Sequence, residues 1–214
     1  VAFKGTSTPV EAFADGSLYS GVAFLGFLSQ FVNIFDLTPN NMIAFILNHL
    51  RLRPIRRIED KILANATKWI QTLRSRDKES HIVLTGHSLG GGFASSIAGV
   101  TEHEAITFSA PGSHFNRFLF RTNFERAWRN VVNIWPDSDL VPLVDRHDDM
   151  VQRISCRDPA SGEHPGHVAC HVITSTICEL WRVCGDPSGR IMRLCTNSSL
   201  NYTYYNYPED TWGI

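Results

Sequence analysis

Ile82-Val83-Leu84-Thr85-Gly86-His87-Ser88-Leu89-Gly90-Gly91-Gly92 decides the reading of this chain. An apolar, β-branched run meets Gly-x-Ser-x-Gly and passes into a small-residue segment, Phe93 to Gly99, which spells strand, sharp turn and helix. Such a turn strains the serine backbone and lifts its hydroxyl above the sheet edge. Gly86 and Gly90 are expected there because side chains two positions either side of Ser88 would strike neighbouring backbone. The helix that follows brings free N–H groups and the positive end of its dipole to the same point, so Leu89 N–H is a natural donor to a developing oxyanion. His87 adjoins Ser88 and points elsewhere, so it is expected to be a packed or hydrogen-bonded histidine and not a base.

Outward from that turn, Val1 to Thr8 reads as a strand entered part-way, which suggests an excised or processed chain. Gly5-Thr6 closes this strand in a turn. If it lies beside the Ile82–His87 strand, Thr6 supplies a second oxyanion donor through its N–H and hydroxyl. From Gly21 to Arg53 the sequence turns densely apolar, broken at Asp36-Leu37-Thr38-Pro39-Asn40, with Thr38 as N-cap of a second apolar segment. A mobile apolar cover over Ser88 is expected within residues 25–50. Pro54 then starts a packing helix whose apolar face runs through Ile55, Ile58, Ile62, Ala66, Trp69 and Leu73. The nearby Arg51, Arg53, Arg56 and Arg57 read as a solvated face.

Beyond the central helix, Ala105–Ser109 and Val131–Trp135 read as strands and Phe115–Trp128 as a helix between them. Strands alternating with helices imply an α/β fold with a mostly parallel sheet covered by helices. Ligands in such sheets gather at the carboxyl ends of the strands, where Ser88 sits.

A length of 214 residues with 43% hydrophobic content fits one domain over 1–214 with a real core. A net charge of −1 supplies no field to hold nucleic acid, so that class of partner is excluded. No uninterrupted apolar run reaches the ~18 residues of a membrane span. The five cysteines, Cys156, Cys170, Cys178, Cys184 and Cys195, crowd into segment 156–195 without zinc-site spacing. That points to disulfides, with one thiol left over, and to an oxidising setting, secreted or luminal in a vacuole or lysosome-like compartment. Asn65, Asn197 and Asn201 open glycosylation triplets that lean the same way.

A serine hydroxyl needs a histidine to take its proton, and that ring needs an acid to fix its tautomer. In the strand–Ser–helix setting the acid and then the histidine follow the serine in the chain. Asp137 and Asp139 stand just beyond a strand end, and His147, His164, His167 and His171 come after them. Spacing does not choose among these.

Phe3-Lys4-Gly5-Thr6, Thr85-Gly86-His87-Ser88-Leu89-Gly90-Gly91 and Asp139-Leu140-Val141-Pro142 resemble the three successive signatures of class 3 (fungal-type) lipases, members of the α/β-hydrolase superfamily. Lys4 stands where that family usually has arginine. The resemblance implies Ser88 as nucleophile, Asp139 as acid, and Thr6 with Leu89 as oxyanion residues. Gly86 to Gly112 and Cys170-His171 are more similar to the autophagy-related vacuolar phospholipases, which implies His171 as the base, with His167 and His164 behind it. A disulfide between Cys156 and Cys170 would pin the loop that returns His171 to the serine.

The implied reaction is hydrolysis of lipid carboxylic esters, triacylglycerol or phospholipid, without metal or organic cofactor and with transient contact to a lipid surface. An apolar cleft gains about 0.8 kcal/mol per buried methylene, which favours an acyl-chain substrate. The rival expectations are an esterase acting on soluble esters and a lipase-like binding module without turnover.

Overall fold

The strand that carries the serine turn, β2 (Val83–His87), is the one around which the sheet assembles. The structure, a computed structural model, describes residues 1–5, 42, 53–112, 114, 129–147, 149–157, 165–185 and 195, with residues 53–60 described by their backbone. On one side β2 pairs with β1 (Ala2–Phe3), Phe3 opposite Gly86, and on the other with β3 (Glu104–Phe108), His87 opposite Phe108. β4 (Val131–Pro136) and β5 (Met150–Ile154) follow in sequence, giving the order β1-β2-β3-β4-β5 with every pairing parallel. The fold is α/β. Because all five strands run the same way, their carboxyl ends share one rim, and Gly5, Ser88, Ser109 and Asp137 all leave the sheet there.

Helix α1 (Arg53–Arg76) and the glycine-rich α2 (Leu89–Thr101) bury one face of that sheet. Ile70 of α1 and Ala94, Ile97 and Ala98 of α2 close on Leu84, Ala105 and Val131, all essentially without solvent exposure. The face of α1 differs from the expected one. Leu63, Ala66, Ile70 and Leu73 turn to the core, whereas Ile62 and Trp69 are exposed. The apolar stripe of α1 is wider than its contact, and the slim surface of α2 admits only one edge of it.

Behind the rim lies a buried polar residue in an otherwise apolar strand. Asn133 donates through Nδ2 to the Ala110 carbonyl at 2.9 Å and accepts at Oδ1 from Ala110 N–H and Thr107 Oγ1, each at 3.2 Å. Its amide is thereby satisfied where burial would otherwise be costly, and it fixes Ala110 against Gly91 of α2.

Two short helices, α3 (His167–His171) and α4 (Ile173–Cys184), follow β5. Disulfides join Cys156 to Cys170 and Cys178 to Cys195, leaving Cys184 as an exposed free thiol. The first is the expected pairing. Together the two bridges fit a secreted or luminal protein. Among the described residues no helix is long and apolar enough to cross a membrane. The expected cover within residues 25–50 (Met42 apart), the helix at 115–128, and Thr6, His164, Asn197 and Asn201 lie outside the described residues.

Candidate active site

Ser88 ends β2 at φ 57° and ψ −130°, a backbone conformation that L-residues adopt only when their surroundings impose it. The imposition is steric. A Cβ on Gly86 would stand 2.4 Å from the backbone of Gly90, and one on Gly90 would stand 2.3 Å from the Phe3 carbonyl oxygen. Gly5 belongs to the same knot, since a Cβ there would meet the His87 carbonyl at 2.6 Å. Real Cβ atoms do not approach backbone so closely, so strand β1, the turn and α2 fit together only with glycine at these points. The Ser88 N–H donates to the Phe108 carbonyl at 2.9 Å, tying the turn to β3. Leu89, the first residue of α2, has an N–H without an intrahelical acceptor, at the positive end of the helix dipole.

The residue that reaches Ser88 is His171. Its Nε2 lies 2.9 Å from Ser88 Oγ, and its Nδ1 lies 3.0 Å and 3.1 Å from the two carboxylate oxygens of Asp139. The Asp139 side chain is fully buried and that of His171 a quarter exposed. An ionised carboxylate only accepts, so Nδ1 carries the hydrogen and Nε2 offers its lone pair to the Ser88 hydroxyl, which donates. Serine, imidazole and carboxylate thus stand in one hydrogen-bonded line able to pass a proton off an attacking hydroxyl.

Of the two aspartates that spacing left open, Asp137 turns away and pairs with Arg153 at 3.0 Å in solvent. Among the histidines, the exposed His167 donates from Nδ1 to the Ser138 carbonyl at 2.8 Å. His147 is occupied at both ring nitrogens, by Asp149 and by the Pro142 carbonyl.

His87 has a larger part than packing. Its Nε2–H donates to the His171 carbonyl at 2.7 Å, with the two rings 4.9 Å apart. Burial lowers its pKa to about 4, and the neighbouring His171 adds to the shift, so the ring stays neutral and keeps a single donor. The residue before the serine thereby grips the backbone of the histidine whose ring is hydrogen-bonded to that serine. Nothing in the spacing of Gly-His-Ser announces this, because the partner is 84 positions away. Asn133 did carry a signal: a lone amide inside Val131-Val132-Asn133-Ile134-Trp135 needs a buried partner.

Among the described residues no group of three or more His, Cys, Asp or Glu is placed to hold a metal ion.

A protein-family model described as phospholipase-like, a Tle-like phospholipase domain, matches residues 58–139. The match runs from α1 through the serine turn to Asp139, stopping short of His171. It supports a lipase or phospholipase family and, with it, lipid-ester hydrolysis in general, at a coarser level than class 3 lipases or vacuolar phospholipases. No curated protein and no solved structure matches the chain.

Proposed function

We propose that this chain is a serine hydrolase of the α/β-hydrolase fold, cleaving acyl esters of lipids through an acyl-enzyme. One observation carries the reading: His171, 83 residues after Ser88 and 32 after Asp139, bridges the Ser88 hydroxyl and the buried Asp139 carboxylate. Ser88 Oγ attacks the ester carbonyl carbon as its proton passes to His171 Nε2, and Asp139 holds the ring and offsets its positive charge. The carbonyl oxygen becomes an oxyanion that accepts from Leu89 N–H and, by the resemblance of Phe3-Lys4-Gly5-Thr6, from Thr6. His171 then returns the proton to the departing alkoxide, the alcohol leaves, and Ser88 stays acylated. Water repeats the sequence, releasing the fatty acid and restoring the hydroxyl.

A lipid substrate suits what surrounds this line. Leu140 and Leu143 follow Asp139, and Val168 precedes His171 by three residues; all three are apolar and exposed, Val168 by 85%. Segments that carry the acid and the base therefore present hydrocarbon outward, as contact with a lipid surface requires. The phospholipase-like match points to the same substrate class.

The test is labelling with a fluorophosphonate together with hydrolysis of esters of graded chain length, phospholipid and triglyceride run in parallel. Wild-type protein is expected to label at Ser88 and hydrolyse long-chain lipid esters, and Ser88→Ala to lose labelling and roughly 10³- to 10⁶-fold in turnover. An unlabelled wild type would leave a binding module. Rates that do not rise when substrate passes into micelles would leave an esterase for soluble esters.

A further inference from the structure

A second buried histidine–carboxylate pair stands behind the loop that bears Asp139. The His147 side chain is 11% exposed and that of Asp149 3%, with Nδ1 and Oδ1 2.9 Å apart. On its other side the His147 Nε2 lies 2.9 Å from the Pro142 carbonyl. A carbonyl oxygen only accepts, so Nε2 carries the hydrogen of this bond, while Nδ1 faces the Asp149 carboxylate. The ring also packs edge-on against Trp135 at the end of β4, with ring centroids 4.3 Å apart. Asp149 immediately precedes β5, so His147 is fastened to the sheet at two places and extends one donor to the Pro142–Val144 turn.

That turn reaches Asp139 directly. Val141 N–H donates to Asp139 Oδ1 at 3.0 Å, the same carboxylate that receives His171 Nδ1–H. Among the described residues little else holds the turn. Leu140 and Leu143 are exposed, the turn's own bonds are local, and Pro142 alone is buried. We propose that His147 is a positioning residue for Asp139: its Nε2–H bond to Pro142 fixes the turn whose Val141 N–H aims the carboxylate at His171. The inference rests on the hydrolase reading above, in which Asp139 orients the base. It extends that reading to a residue that touches neither the substrate nor the reacting atoms.

Three replacements separate the role from mere packing. Glutamine keeps an N–H near the Nε2 position, asparagine reaches Asp149 but not Pro142, and phenylalanine keeps the ring against Trp135 with no donor. Each is assayed for kcat and KM on the best ester, and for the rate of fluorophosphonate labelling at Ser88, well below its own melting temperature. His147→Phe and His147→Asn are expected to lose kcat by on the order of 10²-fold, the effect of a displacement near 1 Å in a reacting group, with KM within about twofold. His147→Gln is expected to recover most of that loss. Labelling rates should follow kcat.

If His147→Phe does not fold, asparagine against glutamine makes the same contrast. Folded phenylalanine or asparagine variants with wild-type kcat, or a glutamine variant no better than the other two, overturn the proposal while leaving the hydrolase reading intact. A wild type that neither labels nor hydrolyses overturns the hydrolase reading itself, and this inference with it.

Discussion

Between Gly86 and Gly91 the site is held by exclusion: an added Cβ strikes backbone at 2.4 Å on Gly86 and 2.3 Å on Gly90, and the Ala110 side chain at 2.7 Å on Gly91, so the serine has nowhere else to go. Between Asp139 and His171 it is held by tethers. His167 is tied to the Ser138 carbonyl, His147 to Pro142, Cys170 to Cys156 and the His171 carbonyl to His87. The first region needs only close contact among β1, β2 and α2, and its geometry follows wherever those three pack. The second is a path across loops, which acquires a fixed shape only as each polar or covalent bond closes. Ser88 is thus placed by the fold, and Asp139 and His171 are placed by fastenings added to it.

The largest expected effect comes from removing the charge that the tethered region presents. Asp139→Asn keeps the shape but offers His171 an amide that can favour the wrong tautomer, and kcat is expected to fall roughly 10⁴-fold. Melting temperature tracked alongside separates lost chemistry from lost structure. A variant that melts as the wild type and keeps its turnover would break the assignment of the acid.

Opening the covalent fastening comes next. Cys156 and Cys170 are 14 residues apart, and closing a loop of about that size contributes about 3 kcal/mol in the chain-entropy account. The paired Cys156→Ser and Cys170→Ser variant is expected to lose about that much stability in denaturant titration. Activity should also drop at temperatures where the sheet is intact, because α3 and His171 loosen before the serine turn does. Equal loss from both regions would erase the contrast between them.

His87 joins the two regions, and its effect depends on pH. Folding lowers its pKa from 6.5 to about 4, chiefly by burial, so the unfolded chain takes up a proton that the folded one refuses. Stability from this source is complete above pH 6.5 and is lost progressively as pH falls to about 4, on the order of 3 kcal/mol in all. His87→Gln keeps a donor for the His171 carbonyl but has no proton to bind. Its unfolding free energy, measured from pH 7 to pH 4, should decline less steeply than that of the wild type.

The same contrast explains what was legible in the sequence. The strand–Ser–helix turn, its parallel neighbours and the glycines at 86 and 90 are legible in a contiguous motif; the backbone that Gly86 must avoid is that of Gly90, inside the motif, whereas Gly90 must avoid Phe3 on β1. Gly5 reads as a turn residue, and its steric role was not legible, since the backbone it must avoid belongs to His87, on another strand. The edge of α1 that faces the core was misjudged at Ile62 and Trp69, because periodicity gives a stripe and only the partner helix selects which side of it is used. The choice of His171 over His147 or His167 was not in the spacing at all. It follows from which carbonyls and carboxylates occupy the other rings, and those bonds close only in three dimensions.

The smallest effect bears on that last point. Asp137 and Asp139 are two residues apart, leave the same strand end and carry the same charge, yet one is half-exposed beside Arg153 and the other is sealed against His171. An exposed ion pair contributes about 0–1 kcal/mol, since both partners are nearly as well solvated apart as together. Asp137→Asn should therefore change stability by no more than that and leave kcat within about twofold, since its carboxylate lies on no route to the serine. Raised salt should mimic the substitution by screening the Arg153 pair in the wild type. If Asp137→Asn instead cost turnover on the scale of Asp139→Asn, exposure would be a poor guide to which of two neighbouring carboxylates does chemistry, and the case for burial as the mark of the acid would fall with it.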